Sequence, residues 1–281
     1  MLVTLNDVLR RAQKEKYAVG LFNTTDTDML QAAIEAAEEM RSPIIIGTAE
    51  VLLPYGELQL IAPSVLAAAR RASVPVVVHY DHGLTFERCM EALKLGFSSI
   101  MFDGSVHPYE ENIRATAEMV RIAHSLGASV EGEIGHVGEA SSEDNKNTDL
   151  YTTPQEAKEY LEATGVDALA VAIGTAHGVY KSKPNLNTAR LREIRATVDV
   201  PLVLHGGSGL SDDDFRTCIA EGICKVNFAT ELRIAYTKGV REFLAADADA
   251  FDPKKYGTPG MANVKALVAN KMQVCGCAGK A

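Results

Sequence analysis

Short apolar runs alternate with longer segments of helical periodicity along most of the chain. Eight of these runs have the length and composition of buried parallel strands, and each is followed by a helix or by a segment that can form one. The third strand begins at residue 75, and the others span residues 17–22, 43–48, 98–102, 129–134, 167–173, 200–204 and 223–228. Such an alternation is typical of a (β/α)8 barrel or of a large doubly wound sheet.

Polar residues lie at or just beyond the carboxyl ends of these strands. In a barrel the eight ends form a ring around one mouth, whereas a doubly wound sheet would spread them along a line. The residues concerned are Asn23, Thr48, Asp81, His82, Asp103, Glu133, His177, His205 and Asn227. The chain has 281 residues, close to the ~250 of such a barrel, and its composition shows no linker. We therefore predict a single (β/α)8 TIM-barrel domain over residues 1–281.

Composition and charge argue against several classes of partner and location. The net charge of −9 argues against a nucleic-acid partner, which requires a basic face. No apolar run approaches the ~18 residues of a membrane span, and no charged leader with an apolar core opens the chain. Five cysteines without framework spacing indicate reduced thiols and a cytoplasmic protein. Cys275-x-Cys277 alone is a weak metal-site pattern, because no second pair accompanies it.

The stretch PVVVHYDHG, residues 75–83, places an acid and a histidine side by side at the end of the third strand. Adjacent strand residues normally point to opposite faces of a sheet. We expect Asp81 and His82 nevertheless to share a pocket, because the end of this strand is predicted to fray.

Three histidines, His82, His177 and His205, follow three different predicted strands. Three imidazoles with one open position form a catalytic zinc site. The alternative is that they are ordinary polar residues at a solvent boundary, which is the interpretation we give to His107, His124 and His136. His79 is predicted to be a packed strand residue.

Glycines cluster after the sixth and seventh predicted strands, where their backbone N–H groups are able to bind an anion. Phosphate sites in this fold commonly use the loops after strands seven and eight, and Lys181 would add a positive charge. The alternative is that these glycines only permit tight turns. The residues are Gly178, Gly206, Gly207, Ser208 and Gly209, with Asn227 and Thr230 beside the eighth strand.

Five motifs, YDHG, EGEIGHVG, AVAIGTAHGVY, VPLVLHGGSG and KVNFATEL, occur in this order at the strand ends. In this respect the chain resembles the metal-dependent, class II ketose-bisphosphate aldolases, and the likeness to the tagatose-bisphosphate and fructose-bisphosphate aldolases runs over nearly its whole length. The resemblance implies a zinc-dependent barrel enzyme, usually a homodimer or homotetramer. Such an enzyme splits a sugar phosphate into dihydroxyacetone phosphate and an aldehyde such as glyceraldehyde 3-phosphate.

The resemblance also implies roles for individual residues. His82, His177 and His205 match the zinc ligands, and Asp81 matches the acid/base that acts on the C4 hydroxyl. Asp103 and Glu133 match acidic positions near the metal. The candidate substrate-binding residues are Asn23, Gly178, Lys181, Gly206, Gly207, Ser208, Asn227 and Thr230. A monovalent cation, Na⁺ or K⁺, is expected near the phosphate loops.

A second acid must move the proton at C3, and the family places it in the loop after the fifth strand. The candidates are Glu139, Glu143 and Asp144, of which we favour Glu143 because it lies farther along the polar segment 140–149. That segment is predicted to be a loop over the mouth. After the second strand the family usually reads Gln-x-Ser, but this chain reads GTAE at 47–50, so a side chain expected near the substrate is missing.

Three other functions are compatible with the residues. A Schiff-base aldolase on the same fold would use Lys225, which has the strand parity of Asn227. A related lyase would act on a different ketose monophosphate. A non-catalytic barrel would have lost a metal ligand or the catalytic acid, but this chain retains His82, His177, His205 and Asp81.

Overall fold

Eight parallel strands close into a barrel in the computed structural model, which describes residues 1–135, 151–176, 178 and 184–281. A two-residue strand precedes them, so the eight predicted strands are numbered β2 to β9. The strands are β1 (Leu2–Val3), β2 (Val19–Asn23), β3 (Ile44–Ala49), β4 (Val76–Gly83), β5 (Ser99–Phe102), β6 (Ser129–Ile134), β7 (Ala168–Val171), β8 (Leu202–Leu204) and β9 (Ile223–Phe228). The predicted (β/α)8 TIM barrel is confirmed.

The barrel closes through β4, which pairs with both β3 and β5. At the amino-terminal end of β4, β1 adds a third neighbour, with Leu2 opposite Val76. Every pairing is parallel, so all eight carboxyl ends meet at one rim of the barrel. The apolar residues of the strands are buried from both sides, as expected for strands with helices outside and a packed interior inside.

Helices surround the barrel in the order that the sequence pattern predicts. They are α1 (Leu5–Glu15), α2 (Thr27–Met40), α3 (Leu58–Arg71), α4 (Phe86–Leu95), α5 (Tyr109–Ser125), α6 (Pro154–Thr164), α7 (Thr188–Thr197), α8 (Asp212–Ala220), α9 (Thr230–Ala246) and α10 (Pro253–Cys275). Thr4 forms a capping box with Asp7 at the start of α1, and Ser211 caps α8. No described helix is long and apolar enough to cross a bilayer.

Two helical segments differ from the sequence prediction. A 3₁₀-helix (Glu50–Tyr55) stands between β3 and α3, where the alternation predicts one helix after the strand, and Pro63 lies inside α3. The 23-residue α10 was not predicted, because Gly257, Pro259 and Gly260 interrupt its helical pattern. It packs against α9 and α2, so tertiary contacts stabilise what local propensity does not.

Candidate active site

Asp81 and His82 share one pocket because a β-bulge interrupts β4. The register between β4 and β5 shifts between Tyr80 and Gly83, and His82 has a left-handed backbone with φ 47°. A bulge adds one residue and redirects the side chains that follow it, so two consecutive residues face the same side. The prediction that the end of this strand frays is therefore wrong. The strand continues through Gly83, whose carbonyl accepts the Asp103 N–H at 2.9 Å.

Close packing and one carboxylate hold this bulge in place. A side chain at Gly83 would collide with the thiol of Cys89 and lie 2.7 Å from the Met101 carbonyl oxygen. Glu50, in the 3₁₀-helix after β3, accepts the backbone N–H of Leu84 at 2.8 Å and the hydroxyl of Tyr80 at 3.1 Å. The GTAE sequence, which ends β3 and begins the 3₁₀-helix, thus supports the neighbouring loop through Glu50.

The imidazoles of His82 and His205 face each other across the mouth. Nε2 of His82 lies 2.8 Å from Nδ1 of His205, and the two rings meet edge to face. Nδ1 of His82 lies 2.7 Å from Oδ2 of Asp103, and Nε2 of His205 lies 2.8 Å from Oε1 of Glu131. A carboxylate only accepts hydrogen bonds, so each ring turns an N–H toward its carboxylate, and Nε2 of His82 and Nδ1 of His205 are the nitrogens left facing each other. This donor set fits a divalent metal, because a carboxylate on the far nitrogen commonly orients a ligand histidine.

Two groups of side chains near these rings have ligand atoms close enough to hold an ion. One contains Asp81, His82 and His205, and the other contains His82, Asp103 and Glu133. Burial alone would lower the pKa of His82, but the carboxylates of Asp81 and Asp103 raise it to about 10. Burial, together with the neighbouring His82, lowers the pKa of His205. The carboxylates at these strand ends thus favour a positive charge beside His82, as a bound cation would supply.

Asp81 is buried between two asparagines. Asn23 donates its amide to Oδ2 at 2.7 Å, and Asn227 donates to Oδ1 at 2.9 Å. Burial raises the pKa of Asp81, but the positive charges of His82 and Lys225 outweigh this effect and hold that pKa well below its usual value. Asp81 is therefore an ionised carboxylate, held in position from both sides.

Lys225 lies inside the barrel below these residues. Its Nζ is 2.8 Å from Oε2 of Glu131 and donates to Oδ1 of Asn227 at 2.6 Å. The side chain is completely buried and bound to an anion, whereas a Schiff-base lysine needs to be free and accessible to a carbonyl. The inward orientation expected for Lys225 is confirmed, and its ion pair argues against the Schiff-base alternative.

His79 is a packed strand residue, as predicted. It is fully buried, its Nδ1 lies 2.7 Å from Oγ of Ser99, and burial lowers its pKa to about 3. All five cysteines are buried, free thiols, and no described cysteine belongs to a group able to hold a metal.

A cavity of about 320 Å³ opens at this rim. Most of the residues that the sequence singled out line it, namely Asn23, Asp81, His82, Asp103, Glu133, Gly178, Gly206, Gly207, Ser208, Asn227 and Thr230. His205 lies beneath the surface, completely buried. Gly206 has φ 67°, and a side chain there would meet the backbone of Ala176 at 2.5 Å, so this position requires glycine.

Several predicted residues lie outside the described part of the chain. These are His177, Lys181, the loop acids Glu139, Glu143 and Asp144, and His136. Their predicted roles remain predictions, and the rim described above consists of residues from β2 to β6 and from β8 and β9 together with Gly178.

Two residues of the site were not identified from sequence. Glu131 has the strand parity of Glu133, which is the signal that could have identified it, and it makes the contacts to His205 and Lys225. Arg233, on the first turns of α9, lines the cavity and also borders a second cavity of about 360 Å³ with Thr24, Thr48 and Leu52. Arg233 lies six residues after Asn227, at the start of the helix that follows β9. This placement next to a strand end is the sequence signal that could have identified it as a site residue.

The chain is similar over its full length to known aldolases. A family model described as "Fructose-bisphosphate aldolase class-II" matches residues 3–280. The chain is 42% identical to a fructose-bisphosphate aldolase of Geobacillus stearothermophilus, covering 100% of this chain and 99% of that protein.

Two solved structures have the same fold over nearly their entire length. The YdjI aldolase from Escherichia coli K12 superposes with a TM-score of 0.88 at 36% identity, covering 100% of both chains. A putative fructose-1,6-bisphosphate aldolase from Coccidioides immitis gives a TM-score of 0.89 at 31% identity, covering 98% of this chain and 97% of that one. With a match over 278 of its positions, residues 3–280, the chain belongs to the class II fructose-bisphosphate aldolases, which are metal-dependent lyases.

Proposed function

We propose that the chain cleaves the C3–C4 bond of a ketose bisphosphate into dihydroxyacetone phosphate and an aldehyde such as glyceraldehyde 3-phosphate, with Zn²⁺ as its metal. The observation that carries this proposal is the convergence of two imidazole nitrogens beside the buried carboxylate of Asp81. Imidazole nitrogens suit zinc, and an ionised acid beside the metal supplies a base.

In this proposal His82, His205 and His177 hold the metal, and Asp103 and Glu133 complete its acidic surroundings. Asp103 acts by fixing the ring of His82 and Glu131 by fixing that of His205. When bound, the divalent ion supplies Lewis-acid polarisation of the ketose carbonyl.

Asp81 takes the proton of the C4 hydroxyl during cleavage and returns it during condensation. Its low pKa keeps Asp81 ionised. The amides of Asn23 and Asn227 each donate to one of its oxygens and so hold the carboxylate in place at the wall of the cavity. The proton at C3 is moved by an acid of the segment 136–150, for which Glu143 is our first candidate.

The loop from Gly206 to Gly209, with Gly178 and Thr230, binds the phosphate nearest the ketone. Successive backbone N–H groups beside the first turn of α9 favour an anion there. Lys181 adds a positive charge.

Arg233 binds the second phosphate. It is the single lysine or arginine among the described residues that line the main cavity, and its guanidinium has no ion pair with another described residue. The hydroxyls of Thr24 and Thr48 are buried, have no hydrogen-bond partner among the described residues and belong to residues that border the adjoining cavity. Buried hydroxyls usually have partners, so these two are available for an anionic substrate group.

We further propose one domain over residues 1–281, assembly as a homodimer or homotetramer, a monovalent cation, Na⁺ or K⁺, near the phosphate loops, and a cytoplasmic location consistent with five free thiols.

The proposal is tested by assaying cleavage of a panel of ketose mono- and bisphosphates while measuring metal content. We expect bisphosphate cleavage that a chelator abolishes and that borohydride does not trap. Cleavage that persists in chelator, or covalent trapping of dihydroxyacetone phosphate on a lysine, would contradict it.

A further inference from the structure

Lys271 on α10 is a buried cation that does not line the cavity. Its Nζ lies 3.1 Å from Oε2 of Glu231 and 3.8 Å from Oδ1 of Asp212. It also lies over the rings of Phe215 and Phe228, 4.8 and 5.4 Å from their centroids. Lysines are rarely buried unless they are paired, so the partners of Lys271 indicate what its charge does at this place.

Lys271 contacts two side chains, Glu231 and Phe215, that support the loop 206–209. Glu231 accepts the backbone N–H of Gly209 through Oε1 at 3.1 Å, while its Oε2 faces the ammonium. A side chain at Gly207 would lie 3.0 Å from the ring of Phe215, so that ring forms the floor of the loop. One lysine thus contacts the anchor and the floor of the segment 206–209.

The charge of Glu231 would oppose phosphate binding if it were left uncompensated. Glu231 is in the first turn of α9, directly after Thr230, and is bonded to the loop proposed to hold a phosphate. A carboxylate at this position repels an anionic ligand through a medium of low dielectric constant. The ammonium of Lys271 cancels that charge and leaves the second carboxylate oxygen to hold Gly209.

We infer that Lys271 is a positioning residue: through Glu231 it holds the loop 206–209 in the conformation that binds the substrate phosphate, and it neutralises the carboxylate that is bonded to Gly209. The inference rests on the proposed function of this loop. It assigns a role at the active-site rim to the C-terminal helix, which packs outside the barrel.

A purely structural lysine would affect stability and nothing else. A positioning lysine affects phosphate binding with little effect on bond cleavage, because it touches neither the metal ligands nor Asp81. The two roles are therefore separable by comparing phosphate affinity, kcat, metal content and melting temperature in the same variants.

The experiment uses the metal-loaded enzyme, with inorganic phosphate as a competitive inhibitor. In Lys271→Met we expect the inhibition constant of phosphate and the KM of the sugar phosphate to rise about tenfold to a hundredfold, the order expected when an uncompensated carboxylate faces an anion near the protein surface. Metal content should be unchanged and kcat should fall far less than KM rises. Lys265→Met is the matched control, since Lys265 is on the same helix and pairs with Glu35 and Glu39 on α2, away from the loop.

A second variant tests the charge argument. In Lys271→Met/Glu231→Gln, the glutamine oxygen still accepts the Gly209 N–H while the uncompensated charge is gone, so we expect phosphate binding to recover. Unchanged phosphate binding in Lys271→Met, or no recovery in the double variant, overturns the inference. If Lys271→Met does not fold, Glu231→Ala replaces it as a test of the anchor alone: loss of the Gly209 contact should weaken phosphate binding, whereas Glu231→Gln, which keeps that contact, should not. Unchanged binding in Glu231→Ala overturns the inference.

The parent protein separates this inference from the proposal on which it rests. If phosphate does not inhibit the parent, and Ser208→Ala leaves KM unchanged, the loop is not the phosphate site and both ideas fail. If phosphate inhibits the parent and Lys271→Met equally, only the role of Lys271 is wrong.

Discussion

Nε2 of His82 lies 2.8 Å from Nδ1 of His205, although the two residues are 123 positions apart in the chain. Two imidazoles brought this close, each with its other nitrogen against a carboxylate, present Nε2 of His82 and Nδ1 of His205 to one point. Only the closure of the barrel brings the ends of β4 and β8 to the same rim, since these strands are not neighbours in the sheet.

We expect the purified protein to hold about one divalent ion per chain, because this geometry fits the metal dependence of the family. Activity should disappear in a chelator and return with Zn²⁺ or Co²⁺. His205→Ala should lower the metal content measured by elemental analysis, whereas His124→Ala should retain it, since His124 pairs with Asp167 on the outer side. Full metal content in a His177→Ala/His205→Ala variant would contradict the assignment of these histidines as metal ligands.

Asp81→Ala should fold and bind metal, because the histidines and their carboxylate partners remain. Cleavage should fall by ~10²–10⁴, the usual contribution of a general acid or base. Steady-state kinetics at saturating metal measures the loss, with Asp199→Ala as the control, because its side chain is almost fully exposed. A loss of less than about tenfold would mean that another group carries the C4 proton.

Lys225→Met should destabilise the protein, because it leaves Glu131 as a buried carboxylate without its cation. Breaking a buried ion pair in this way typically costs about 3–5 kcal/mol, which urea unfolding measures. Lys225→Met/Glu131→Gln should recover most of that loss, since the glutamine oxygen still accepts from His205. Equal stability of the single and double variants would show that the ion pair contributes little.

The acid that moves the C3 proton is predicted from sequence alone, since Glu139, Glu143 and Asp144 lie outside the described residues. The two proton transfers are separable, because Asp81 acts on the C4 hydroxyl and the loop acid on C3. Glu143→Gln should therefore exchange the dihydroxyacetone phosphate proton with solvent slowly while still cleaving at a reduced rate.

Glu139→Gln and Asp144→Asn serve as matched comparisons in the same exchange assay. An added oxidant should trap the carbanionic product that accumulates in Glu143→Gln. Exchange at the parent rate in all three variants would show that the loop supplies no base. Asp103 and Glu133 would then be the remaining candidates for the base that moves the C3 proton.

The sequence by itself determined the barrel and most of its rim. The runs of Val76–Val78 and Ile44–Ile46 are too apolar for a half-exposed sheet, and polar residues follow each such run, so a parallel barrel with one polar mouth was predictable. The residues at the rim, such as Asp81 and Asn227, could be identified because strand parity and position at a strand end are local properties.

The tertiary structure decided the features that depend on contacts between distant segments. The bulge that turns both Asp81 and His82 inward follows from the packing of Gly83 against β5, and no local pattern encodes it. The partners of His205 and Lys271 are Glu131 and Glu231, contributed by other elements. A buried charge is placed by the partner that compensates it, and that partner is brought near only when the barrel closes.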